Sequence, residues 1–165
     1  MIRLAFYILT FPLFASGQSN NLSTKDKSKL YSIAIEQYLK AVIKKDKLTI
    51  DSLFVGQYED LKNIKLPSTI LNTKIILLTS DEEGAKRLTY RKSYDYVNIA
   101  EIKFSEDRAE ICFIRFLVEK TNGKVSSWPI HNCYTNFNFD SNQNHLTLDK
   151  VYFDYPYSNG YTKKQ

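Results

Sequence analysis

The chain has 165 residues, 43% of them hydrophobic, with 23 Lys and Arg against 18 Asp and Glu for a formal net charge of +5. That length suits one domain with a single core. The basic residues are interleaved with acids, as in Lys25-Asp26-Lys27, and the densest basic stretch, Lys86-Arg87 to Arg91-Lys92, holds four charges. No continuous phosphate-neutralising face is expected, so nucleic acid is not an expected partner.

Residues 1–17 carry one positive charge, Arg3, then an apolar run from Leu4 to Ala15, with small residues at Ala15 and Gly17. This pattern predicts a secretory signal cleaved before Gln18. The run is too short to cross a bilayer, which takes about 20 residues in a helix. The expected product is residues 18–165, a single exported domain with flexible ends, periplasmic or extracellular, with no stable membrane insertion after cleavage.

After a short polar stretch, Leu30, Ala34, Ile35, Tyr38, Leu39 and Val42 recur at three- and four-residue steps, predicting an amphipathic helix over 25–45 that Thr24 caps. A second helical turn is expected at Ile50–Phe54, ended by Gly56. Lys74–Thr79 is a continuous apolar run of the kind found in strands buried on both faces. Ser80-Asp81-Glu82-Glu83 matches a capping box and opens a short helix to about Leu88.

The remainder predicts strands at 94–104, 109–120, 124–139 and 146–154, joined by connections short enough for sequential antiparallel hairpins. Apolar parity changes between Val97/Ile99 and Ile102/Phe104, which predicts a bulge near Ala100-Glu101. Both faces of 109–120 are largely apolar, so that strand is expected at the centre of the sheet.

Asn122-Gly123 is the strongest two-residue hairpin signal. In the register that it sets, Cys112 opposes Cys133 on a non-hydrogen-bonded pair, with Cα atoms about 4.5 Å apart, at the short end of what a structural disulfide tolerates. A bulge within Ser126–Pro129 would shift the pairing by one residue and leave two unpaired thiols. Export would favour oxidation.

One long helix, shorter helical pieces and a curved antiparallel sheet of about four to five strands make an α+β arrangement. In the order of its elements and the placement of its bulge, the stretch 25–155 resembles the cystatin-like group and, within it, the cone-shaped nuclear transport factor 2-like superfamily. The chain is also similar in overall look to small exported proteins of Bacteroidota. The superfamily resemblance implies a cavity at the open end of the cone, with a carboxylate base and a Tyr or acid holding an oxyanion. Asp95, Glu101 and Glu110 lie in strands and Tyr94, Tyr96 and Tyr134 are candidates for the lining, but none matches a family motif, so no catalytic residue is assigned.

The only histidines, His131 and His145, lack metal-ligand spacing, and the five glycines are too dispersed for a phosphate loop. No metal or cofactor is expected. Twelve tyrosines stand out, with Tyr152, Tyr155, Tyr157 and Tyr161 clustered near the end. Such rings combine apolar area with a hydroxyl and suit recognition of a protein or glycan, whereas Phe153 and some of its neighbours equally suit capping of the core. The sequence therefore points to a non-enzymatic binding or protein-interaction module for a protein, small-molecule or glycan ligand. The alternatives are a small cavity enzyme of isomerase or dehydratase type and an inhibitor or immunity-like protein that blocks an extracytoplasmic enzyme.

Overall fold

In the computed structural model, residues 9–10, 22–46, 50–56, 61, 63–78, 93–105, 108–140 and 145–155 are described. The expected helix at 80–88 lies outside them, as do Tyr157, Tyr161 and all of the expected leader except Leu9 and Thr10. The helix α1 spans Thr24–Asp46. Its N-cap is Ser23, one residue before the expected Thr24: Ser23 Oγ accepts the Asp26 N–H at 3.2 Å, and the Ser23 hydroxyl donates to Asp26 Oδ2 at 2.6 Å. The apolar stripe, with Tyr31 added to it, is buried along its whole length from Leu30 to Val42.

Among the described residues, nine strands follow the chain as β1 (Leu9–Thr10), β2 (Ser52–Gly56), β3 (Thr69–Ile70), β4 (Thr73–Leu78), β5 (Ser93–Ile99), β6 (Lys103–Ser105), β7 (Arg108–Thr121), β8 (Lys124–Asp140) and β9 (His145–Asp154). They form one sheet in the order β1-β9-β8-β7-β5-β2-β4-β3, with β6 paired to β7. Among the described residues the fold is thus mainly β, a mixed sheet with the helix α1 on one face, and not an antiparallel α+β cone of four to five strands.

The difference arises at 50–78. Ser52–Gly56 is a strand and not a helical turn: Leu53 and Val55 alternate with half-buried neighbours, and β2 runs parallel to both β4 and β5, pairing Leu53 with Ile75 and Val55 with Val97. Parallel partners cannot be joined by a tight turn. They are therefore distant in sequence, and a five-residue segment with two inward apolar residues carries little local signal of either period.

β3 and β4 form a hairpin whose two loop residues, Leu71 and Asn72, have φ of 50° and 64°. Asn tolerates this left-handed region, but a leucine there carries the clash between Cβ and backbone that makes it costly. Leu71 is 44% exposed, so its side chain contributes little to the core. We expect Leu71→Asn to raise stability by about 0.5–1 kcal/mol, read as a higher denaturation midpoint. An unchanged or lower midpoint would contradict this account of the turn.

The interruption between β5 and β6 falls where the parity change predicts a bulge. Ile99 pairs with Phe113 and Lys103 with Glu110, so one extra residue lies on the β5–β6 side. The Ala100 N–H donates to the Cys112 carbonyl at 2.8 Å, and the Tyr31 hydroxyl donates to the Ala100 carbonyl at 3.5 Å, tying α1 to the bend.

The β7–β8 hairpin turns at Asn122-Gly123, with φ of 51° and 77°, positive at both positions as a type I′ turn requires. The expected register holds from Thr121↔Lys124 to Phe116↔Pro129 and then shifts, because Arg115 pairs with His131 and leaves Ile130 as an extra residue. Beyond it Cys112 faces Tyr134 and Cys133 faces Phe113. A one-residue slip moves a side chain to the other face of a sheet. Cys133 therefore lies in the core under α1, Cys112 lies on the opposite face, and both thiols are free, which corrects the expected disulfide.

Candidate functional site

A cleft of about 340 Å³ opens between the C-terminal half of α1 and the sheet. Tyr38 and Val42 of α1 form one wall, and Leu53 and Val97 of the sheet the other; Asp51, Ser52, Asp95 and Arg115 supply its polar groups. The rim is held by β4, where the Thr73 hydroxyl donates to the Ile50 carbonyl at 2.7 Å and the Lys74 N–H to the Asp51 carbonyl at 2.9 Å. Such a site, with polar and apolar surface in about equal share, has the volume of a small-ligand pocket.

Arg115 is the residue that sequence reasoning missed. It is the one charged side chain within the otherwise apolar run Ile111–Val118, and a charge at the centre of a buried strand requires a partner. That partner is Asp95, diagonal to it across β5 and β7: Arg115 Nε donates to Asp95 Oδ2 at 3.2 Å, and Nη2 donates to the same oxygen. The guanidinium side chain is 16% exposed and the carboxylate 40%, so the acid stands nearer the solvent.

The other carboxylates weighed from the sequence do not join it. Glu101 is exposed at the bend, and Glu110 lies on the opposite face of the sheet, where it interacts with Tyr152. Tyr94 and Tyr96 also lie away from the cleft, in an aromatic row in which Phe54 meets Tyr94 edge-on at 6.4 Å and Tyr96 stacks on Phe116 at 5.1 Å. Tyr134 stacks on Tyr152 at 4.9 Å. Partial burial first, and then the nearby acid or thiolate, push the phenols of Tyr152 and Tyr134 above their usual value.

The clustered tyrosines divide between the two faces. Tyr152 is exposed on the outer face beside Tyr134. Tyr155 instead packs against His131 at 5.7 Å, and Lys45 Nζ lies 3.9 Å from its ring centre, so it closes the sheet against the end of α1. His131 is 3% exposed and meets Phe153 edge-on at 5.0 Å, a packing role. Among the described residues no cluster of three or more His, Cys, Asp or Glu could hold a metal ion, and no helix is long and apolar enough to cross a membrane.

No protein-family model matches the chain, and no curated protein matches it. A solved structure from Catenulispora acidiphila is similar over 79% of this chain and 94% of its own, at 10% identity and a TM-score of 0.27, a likeness too slight to carry an argument about fold or function.

Proposed function

We propose that the protein is a non-enzymatic, exported binding module and that the cleft beneath α1 holds its ligand. The observation that carries this reading is the cleft itself, about 340 Å³, lined by the apolar residues Val42, Leu53 and Val97 and by the charged residues Asp51, Asp95 and Arg115. Export rests on the leader-like composition of residues 1–17. Binding is favoured over catalysis because two guanidinium N–H groups converge on Asp95 Oδ2, the cleft carboxylate best placed to act as a base. The pair ties β5 to β7 and gives the pocket a fixed polar end.

The test is a titration of mixed small polar compounds into ¹⁵N-labelled protein, repeated with Asp51→Trp, which puts a large ring at the rim of the cleft from an exposed position. Shifts at Asp51–Leu53 and Asp95–Val97 that Asp51→Trp abolishes, in a protein that still folds, are the expected result. Shifts that survive the variant, or none at these amides, would remove the reading. Turnover of a bound compound would replace it with the cavity-enzyme alternative.

A further inference from the structure

Arg115 and Asp95 do not face the cleft equally. The guanidinium is the deeper member, 16% exposed and engaged by the carboxylate, whereas Asp95 is 40% exposed and Asp51 stands exposed at the rim. An entering molecule therefore meets acceptors before it meets a donor. Two acids against one base also leave the lining with a net negative charge, on a chain whose overall charge is +5. Long-range repulsion of a cation by that overall charge is screened within about 8–10 Å at ordinary salt, so the nearby acids decide the sign of the site.

We propose that the cleft takes a small organic cation, a primary ammonium on a compact apolar body. This rests on the reading of the cleft as a ligand site. The ammonium donates to Asp95 and Asp51, and the apolar body lies against Val42, Leu53 and Val97. A carboxylate or phosphate of the same size would be repelled by both acids before reaching a guanidinium already engaged. A neutral alcohol would keep the area term and lose the charge-assisted hydrogen bonds.

Three probes with one body and different charge test this: 2-phenylethylammonium, 2-phenylethanol and phenylacetate, each titrated by calorimetry and by ¹⁵N spectra. The ammonium is expected to bind at least about tenfold more tightly than the other two, the effect of one hydrogen bond between charged groups. Its affinity should fall by about fivefold at most in Asp51→Asn, an exposed charge, and by about tenfold in Asp95→Asn. Because Asp95→Asn removes the carboxylate to which Arg115 donates, its thermal melt is recorded alongside; if it does not fold, Asp51→Asn and the weakening of ammonium binding by added salt carry the test. Equal or tighter binding of the alcohol or phenylacetate at the cleft amides overturns the cation inference and leaves the ligand site standing. If none of the three moves those amides, the inference is overturned, and the compound titration with Asp51→Trp decides the site separately.

Discussion

Phe113→Ala is expected to reduce the free energy of unfolding by about 3–5 kcal/mol, the usual cost of truncating a fully buried phenylalanine. Phe113 has no exposed surface, sits in the central strand β7 between Ile99 and Cys133, and stacks on Tyr38 of α1 with centroids 4.9 Å apart. Removing the ring leaves a cavity where helix and sheet meet, and α1 cannot follow because Tyr31 ties its first half to the bend at Ala100. Domains of this size are stable by about 5–15 kcal/mol, so the variant would lie close to unfolding. Urea denaturation should show a lower midpoint with an unchanged slope. Val125→Ala, at a position 54% exposed in the same hairpin, should change stability by less than about 0.5 kcal/mol. Comparable costs at the two positions would show that the core lies elsewhere.

The Cys133 thiol makes the second large effect. Burial first, and then the neighbouring Cys112, push its pKa from 9.0 up to about 12. The fold therefore favours the neutral thiol, and the contribution is complete below about pH 9. It is lost as pH rises toward 12, because the unfolded chain ionises first. At about pH 11 the wild type should have lost about 2–3 kcal/mol more than Cys133→Ala relative to about pH 8, since each unit of pKa difference is worth about 1.4 kcal/mol. Other tyrosines and lysines titrate in both proteins and cancel in the comparison. Parallel losses in the two would show that Cys133 is accessible to water. With the thiols on opposite faces, added reductant should leave the melting temperature of the wild type unchanged. A drop would restore the paired register, with its disulfide worth about 2–4 kcal/mol.

Much of the second half of the chain was legible because its signals are local. The apolar run of 109–120, the Asn122-Gly123 turn and the parity change near Ala100 each depend on residues a few positions apart, and the strands and the bend stand there. The candidate site was less legible. Asp95 drew notice as a carboxylate in a strand, but its partner Arg115 follows 20 positions later, and only the β5–β7 register brings the two together. Tyr152 and Tyr155 looked like one cluster in the sequence, yet an odd separation in an extended chain places them on opposite faces.

By itself, the sequence determined α1 with its buried stripe, the β7–β8–β9 meander with its type I′ turn, and an even distribution of charge. These follow from period, from turn chemistry and from composition, which neighbouring residues express without reference to the rest of the chain. The tertiary structure alone decided that β2 is a strand, that the sheet is mixed with parallel pairs at β2, that Ile130 separates the two cysteines, and that Arg115 and Asp95 close one end of a cleft. Each of these rests on a pairing between segments far apart in sequence. There, a shift of one residue reverses which face a side chain occupies, and the choice of register is made by the packing of all the strands together against α1.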